Sequence, residues 1–524
     1  MLAIAWSFAQ PTIESLLSAP FPSSITTSPD GKKVAWVFNK EGVRNIWLAT
    51  GSSLKARSLT SFTADDGIDI TSLTFSPDGK SLLFVKGNDA NGAGENANPA
   101  RLQTPVAPAV YFLSTEKGDP VKIEEGSSPS FAPDGKSFAF VSHGQVFMAS
   151  TDSLKATKLF QSRGSQNSIR WSPDGKKIAF VSSRAAYSFV GVYDIAAKTI
   201  QYPDASVDFD IEPAWAADSK SLVYIRTSNF RTAVPFVPQL EGQPWTIRML
   251  DIATGQSREI WKAATGMGSI LLTDIPIMQN MLLYCANDLV VFPYEKDGWQ
   301  HLYALDIKSG ATRLLTPGDG EVENVIQSAD KKQVIYTTNI ANINRRHIWK
   351  VTVSDGTATQ LTKGNEVEWS PLNAESGTII LHSSATHPAW PALLKNDGSI
   401  QDIAAEEFPK EFPSASLVIP EVVTVTASDG MKIPATLFLP KDYKAGEKHP
   451  ALIFFHGGSR RQMLPAFHYM DYYSNAYAFN QYFASKGYIV LSVNYRSGIG
   501  YGLNFREAKN YGAATCLKTL QAKA

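Results

Sequence analysis

Two short stretches near the end of this 524-residue chain hold residue types suited to acyl transfer. One is "HGGSRR", His456 to Arg461, and the other is "NYRSGIGYG", Asn494 to Gly502. Acyl transfer by a serine needs a hydroxyl on a strained strand-to-helix elbow, a histidine to take its proton, and an acid to orient that histidine. The elbow reads G-x-S-x-G, because small residues permit so sharp a turn. No G-x-S-x-G occurs in the sequence. Gly457-Gly458-Ser459-Arg460-Arg461 comes nearest, with Arg461 where the second glycine belongs. No motif positions an acid beside His456, so it reads first as a loop-shaping residue and only second as a base.

These residues need elements to hold them. "HPALIFFHGG" is a continuous apolar strand that stops at His456-Gly457-Gly458, as buried strands of an α/β sheet do at their carboxyl ends. Before it, "EVVTVTASDGMKIPATLFLP" reads as two strands joined by the Asp429-Gly430 turn. After it, an aromatic-rich segment from Phe467 to Phe483 precedes Gly487 and the strand "YIVLSVNYR". Strand, helix and strand in that order begin a doubly wound sheet.

The rest of the chain is organised by a turn that keeps returning. "SPDGK" stands at Ser28 to Lys32, Ser76 to Lys80 and Ser172 to Lys176, with "APDGK" at Ala132 to Lys136. Serine at the first position of a type I turn bonds back to the backbone, proline presets φ at the second, and glycine relieves the fourth. Each turn runs into a short β-rich stretch: "KVAWVF", "SLLFVK", "SFAFVS" and "KIAFVS". Weaker copies continue in "AADSKSLVYI", "MQNMLLYCA", "SADKKQVIYT" and "SPLNAESGTIILHSS". The spacing is about 40 to 60 residues, the period of a four-stranded propeller blade. Segments such as "NIWLAT", "TIRMLDIATGQ" and "HLYALDIKSGAT" read as the next strands of each blade. Unrelated hairpins of a β-sandwich would not repeat one turn so regularly. The expectation is a β-propeller of seven or eight blades followed by a partial α/β domain. A propeller is equally a binding module, so the repeats leave activity open.

Composition narrows the function. With 44% hydrophobic and 11% aromatic residues, the chain can bury more than one core. Lys plus Arg (49) balances Asp plus Glu (49), which argues against a nucleic-acid groove or a basic membrane-binding face. No apolar run approaches the ~20 residues of a membrane span. Cys285 and Cys516 form no C-x-x-C pair, so neither a disulfide framework nor a zinc site is indicated. His382 and His387, in "HSSATH", lack a third ligand and read as a strand-loop pair with no metal. No phosphate loop appears, so no cofactor is expected, and nothing sets an oligomeric state. The opening "MLAIAWSFAQ" carries the small-x-small pattern Ser7-Phe8-Ala9 without a basic n-region. It reads as the back half of a signal peptide whose start lies upstream, which favours periplasmic or extracellular export over a cytoplasmic protein.

The repeats resemble TolB-like, WD40-related propellers. Followed by "SDGMKIPATLFLP", "HPALIFFHGG" and "GYIVLSVNYRSGIGYG", and with "EKDGWQHLYALD" inside the propeller, the chain resembles the prolyl oligopeptidase family of serine peptidases. The acylaminoacyl-peptidase and dipeptidyl-peptidase-like branches are nearest. The leader pattern, the repeats and the Pro- and Glu-containing connection after them divide the chain into a partial signal peptide at 1–9, a propeller at 10–405 and a linker at 406–420. The resemblance implies that 421–524 is the N-terminal part of an α/β-hydrolase domain. It also implies short peptides as substrates, cleaved by way of an acyl-enzyme.

By that resemblance, backbone N–H groups of Gly457 and Gly458 help to form an oxyanion hole, though both glycines are equally explained by the turn alone. His456, Tyr495 and Arg496 shape the cleft rim, with Arg496 read more readily as a structural pairing residue. Tyr472, Tyr473 and Tyr477 are read as core packing rather than pocket lining. Glu321 and Glu323 qualify for gripping a peptide N-terminus only by acidity, and a solvated loop is the preferred reading. In the family the elbow follows the next strand, and serine, acid and histidine come in that order. All three would lie beyond Ala524, and Ser459 follows the wrong strand. The 524 residues are therefore expected to be a C-terminally truncated form without turnover. A non-catalytic propeller with a vestigial hydrolase segment, and an esterase-like hydrolase, are the alternatives.

Overall fold

The Ser-Pro-Asp-Gly turns fold as their residues dictate. At the first, Ser28 Oγ donates to Asp30 Oδ1 at 2.6 Å and accepts from Lys33 N at 3.0 Å, while Gly31 N donates to Ser28 O at 2.8 Å. The same serine bonds recur at Ser76, Ser172 and Ser328. The computed structural model describes residues 10–51, 53–91, 94–229, 238–271, 281–458 and 460–509. The Ser7-Phe8-Ala9 pattern, Ser459, Cys516 and the segment after Lys509 lie outside them.

Each turn launches a strand with apolar residues on both sides, and the packing shows why. In the strand Lys33–Lys40, side chains alternate between faces. Val34, Trp36 and Phe38 pack against Ile379, Trp390 and Leu393, while Ala35 and Val37 pack against Phe75, Leu82 and Phe84. The strand is sandwiched between two neighbouring sheets, so it is apolar throughout.

Among the described residues, the region 21–402 forms six four-stranded sheets and one eight-stranded sheet. The eight-stranded sheet is two four-stranded units joined by a single parallel pairing, Ser188 with Phe209. The architecture is thus eight blades, numbered here 1 to 8 in chain order. The first strand of blade 1, Phe21–Thr27, packs beside the first strands of both blade 2 and blade 8, which closes the ring.

Seven of the eight first strands carry a β-bulge. At each, a non-glycine residue holds positive φ: Ser24, Ser72, Ser128, Ser168, Glu212, Asn324 and Ser370. Bulges re-aim the residues beside them. The one at Asn324 adjoins Glu323.

The second region is a four-stranded mixed sheet. Strands β1 (Glu421–Thr426) and β2 (Lys432–Phe438) form the hairpin around Asp429-Gly430. Strand β3 (Ala451–Phe455), helix α1 (Asp471–Ser485) and strand β4 (Ile489–Val493) make a crossover unit, with β3 parallel to β4 and β4 antiparallel to β2. A short helix α2 (Leu503–Arg506) follows. Among the described residues β3 pairs with β4 alone. Ile453 on β3 is 47% exposed, Tyr472 on α1 is 72% exposed and Phe479 is 41% exposed. Together with Leu452, Phe454 and Val490 they line an apolar groove of about 420 Å³. No helix among the described residues is long and apolar enough to cross a membrane.

Candidate functional site

The carboxyl ends of β3 and β4 meet the propeller, and the residues singled out in the sequence gather there. His456 leaves β3 with its side chain buried, its ring stacked on Tyr495 at 4.2 Å and 15°. The Tyr495 hydroxyl lies 2.9 Å from His456 O and 2.5 Å from Gly458 O, and Tyr473 OH donates to Gly457 O at 2.9 Å. Across a trans peptide the carbonyl and the following N–H point opposite ways. Tying the His456 and Gly457 carbonyls to tyrosines therefore turns the Gly457 and Gly458 N–H groups away from them.

Burial pushes His456 down to about 4, so its ring is neutral at pH 7. No carboxylate among the described residues lies within ion-pair distance of it. Arg496 is 6% exposed and pairs with Asp429 of the β1–β2 turn through two bonds of 2.6 and 2.9 Å. That pair ties the loop after β4 to the β1–β2 turn at the same end of the sheet.

The glycine-rich loop after β4 docks on blade 7. Gly500 N and Gly502 N donate to Glu321 Oε2 and Oε1 at 2.8 and 3.1 Å, and Asn339 Nδ2 donates to Gly500 O at 2.7 Å. Gly500 has φ +88, and a Cβ there would overlap Gln462 Oε1. A Cβ at Gly502 would lie 3.1 Å from Gly298 O of the propeller, whose carbonyl also accepts Leu503 N at 2.7 Å. The glycines let two domains approach backbone to backbone.

Charge is buried at this junction. Arg506 donates to both oxygens of Glu295 in blade 6 at 2.8 and 2.7 Å, with neither side chain more than 1% exposed. Arg346 pairs with Glu323 through bonds of 3.0 and 2.9 Å, also buried. Glu507 takes Arg460 at 2.5 Å and Gln239 N at 3.0 Å.

The solvated-loop reading of Glu321 and Glu323 is thus overturned: they are 2% and 3% exposed. Alternate residues of a strand share a face, so both reach the domain junction from either side of core residue Val322. Burial raises the Glu321 carboxyl, and Arg506 opposes that shift. Both carboxylates are engaged within the protein. Of the three tyrosines read as core, Tyr473 and Tyr477 are buried, and Tyr477 OH donates to Ala385 O of blade 8 at 3.0 Å. Tyr472 is the exception, because it faces the groove beside β3.

The sequence reading named none of Glu295, Arg346, Gln462 or Arg506 as functional. A signal existed only in "EKDGWQ" and "NFREAKNYG", which hold Glu295 and Arg506 without showing that they meet. Cys285 is buried, its thiol pushed up to about 11 by burial. His382 and His387 lie together beside Asp402, yet no group of three or more metal-ligating residues among the described residues is placed to hold an ion.

Comparison with known proteins agrees with this architecture. Residues 276–389 match the family model of the dipeptidyl peptidase IV N-terminal region. Dipeptidyl aminopeptidase BIII of Pseudoxanthomonas mexicana is 22% identical over 519 residues, which is 95% of this chain and 62% of that protein. The chain therefore spans less than two thirds of the length of this curated relative. Among solved structures, Porphyromonas gingivalis dipeptidyl peptidase 4 superposes with a TM-score of 0.65 at 17% identity, over 94% of this chain and 74% of that one. A puromycin-hydrolyzing peptidase of Mycobacterium tuberculosis superposes at 0.57 and 15% identity, over 84% of this chain and 68% of that one. Its matched propeller segment and this relative make the chain similar to dipeptidyl peptidase IV-type proteins, and the superpositions show that it shares their fold.

Proposed function

We propose that this chain supplies the propeller and the first part of the catalytic domain of a serine-type peptidase that acts on short peptides. One observation carries the reading: the Gly500–Gly502 amides on Glu321 lock the strand-end loops against the propeller. The Gly457-Gly458 turn is exposed at the carboxyl end of β3, and its N–H groups, turned away from the tyrosine-bound carbonyls, suit a developing oxyanion. A lost oxyanion donor typically costs about 2.7–4 kcal/mol in such sites. His456, neutral and stacked on Tyr495, shapes this loop and takes no proton.

The 524 residues contain no G-x-S-x-G elbow. An acyl-enzyme needs an activated Ser–His pair, so these residues by themselves have no peptidase turnover. A second reading, in which the chain binds peptides at its propeller without cleaving them, rests on the propeller fold, which serves equally as a binding module. A fluorophosphonate probe, together with a peptide amide substrate, tests the first statement on the purified chain. No stoichiometric serine labelling and no hydrolysis are expected, and labelling at one serine with hydrolysis would overturn it. A chimera continuing after residue 509 with the catalytic segment of the Porphyromonas gingivalis relative tests the family role. It should take the probe and cleave peptides; a folded chimera that labels without cleaving would favour the binding reading.

Export to the periplasm or beyond is supported by Ser7-Phe8-Ala9 alone. Mass spectrometry of protein from its native host should find the mature chain beginning near Gln10. An intact Met1 would sink that part of the proposal.

A further inference from the structure

We propose that His387 makes the junction between blade 8 and the α/β domain acid-sensitive: a second proton in its cluster loosens loop 384–388 from helix α1. The proposal is independent of peptidase chemistry and rests on where this histidine sits.

Loop 384–388 joins strands Gly377–Ser383 and Trp390–Leu394 of blade 8 and grips the α/β domain. Ser383 Oγ donates to Phe467 O at 2.6 Å, and Phe467 N donates to Ser384 O at 3.1 Å. Tyr477 OH and Gln481 Nε2, one helical turn apart on α1, donate to Ala385 O at 3.0 and 3.3 Å. Gln481 also accepts from Val418 N at 2.9 Å and donates to Val418 O at 2.8 Å. His387 closes the loop: its N donates to Ser384 Oγ at 3.0 Å, and its carbonyl accepts Ser384 N at 2.9 Å.

The His387 ring lies between two flat neighbours. Phe408 of the linker stacks on it at 4.8 Å and 19°, and His382 stacks on it at 5.4 Å and 25°. Phe408 continues through Phe412 to Phe467 and Tyr477, an aromatic column crossing from the propeller into the α/β domain. Any tilt of the His387 ring is therefore felt at the junction.

The charges around the ring are already committed. His382 Nε2 lies 2.7 Å from Asp402 Oδ1, and its Nδ1 lies 3.4 Å from Glu366. Burial works against its charge, but these two carboxylates prevail and hold His382 up at about 9, so it is an imidazolium at neutral pH. His387 Nδ1 lies 2.8 Å from Pro388 O, which assigns the ring's proton to Nδ1 and turns the Nε2 lone pair to Asp402 Oδ2 at 3.6 Å. Burial, and then the His382 charge, lower His387 from its ordinary value against the pull of Asp402 and Glu366. The linker residues Glu406 and Glu407 are exposed and well solvated. A hollow of about 480 Å³ lined by His382, His387, Asp402 and Glu366 admits water to the cluster.

A proton arriving at His387 Nε2 thus stands against an existing cation and competes with it for Asp402. A histidine whose native value is lowered stabilises the fold above its unfolded value and loses that contribution as pH falls. The loss begins near the ordinary histidine value of about 6.5.

Hydrogen exchange on the full chain, corrected for intrinsic rates, tests this between pH 7.5 and 5. Protection of segments 383–390 and 471–485 should fall severalfold together toward pH 5, while blade 3 stays constant. His387→Phe keeps the stack and His387→Gln keeps a donor for Pro388; in both, the acid-dependent loss should vanish. A flat profile in the unmodified chain, a loss shared equally by blade 3, or an unchanged loss in a folded variant would each overturn the proposal.

Discussion

Arg506 of the α/β domain and Glu295 of blade 6 form a two-bond ion pair between domains, with both side chains withdrawn from solvent. Glu321 lies near enough to feel the same guanidinium. The pair fixes where α2 meets the propeller, and with it the loop from Tyr495 to Gly502. Two guanidinium donors on one carboxylate allow a single orientation.

Breaking that pair from one side strands a buried charge. Arg506→Met or Glu295→Leu alone should each destabilise by about 3–5 kcal/mol, whereas the double variant should cost far less than their sum. Urea midpoints of the four proteins measure the cycle, and additive losses would refute the coupling.

Gly500→Ala puts a methyl group into Gln462 at a backbone angle that only glycine adopts easily. Loop 494–506 should detach, seen as new protease cuts there. Gly446→Ala supplies the contrast, since Gly446 has φ +91 with nothing near its Cβ. It should show backbone strain without loop release.

The Arg496 hydrogen bonds hold the Asp429 carboxyl down at about 2. A depressed carboxylate contributes stability above its unfolded value, here the ordinary aspartate value of 3.8, and loses it as pH falls toward 2. Asp429 is 43% exposed, so solvent and salt screen the pair. Asp429→Asn should remove the part of the acid destabilisation that lies between these values, with no change at pH 7 beyond the loss of the pair. Identical acid profiles for both proteins would contradict this assignment.

Ala132 occupies the turn position that Ser28, Ser76 and Ser172 fill with a hydroxyl. Ala132→Ser should gain the bonds to Asp134 and Ser137 N and raise the thermal midpoint, while Ser172→Ala should cost about 0.5–1.5 kcal/mol. Equal midpoints would show that the hydroxyl adds nothing to the turn.

Among the described residues β3 pairs with β4 alone, and an unpaired strand edge beside an apolar groove is expected to favour association. Ile453→Lys should lower the apparent mass of the chain at high concentration in light scattering. Unchanged self-association would place the contact elsewhere.

What the sequence determined by itself is what closes within a few residues. The Ser28 turn is complete within six residues, from Ser28 to Lys33. The Asp429-Gly430 hairpin and the apolar strands Ala451–Phe455 and Ile489–Val493 are similarly local, and they stand where their patterns predict. Tertiary structure decided the rest, because the partners are distant. Glu321 and Gly500 are 179 positions apart, and Glu295 and Arg506 are 211 apart. An acidic residue in a polar loop looks solvated until a second domain is laid over it. For the same reason Tyr472 and Tyr473, adjacent in an aromatic run, part company: the helix turns one toward the Gly457 carbonyl and the other toward the open groove. His382 and His387 were visible as a pair, but the third and fourth members of their cluster, Asp402 and Glu366, arrive from another strand of blade 8 and from the residue before its first strand. Only folding sets the three charges around the neutral His387 ring at a domain junction.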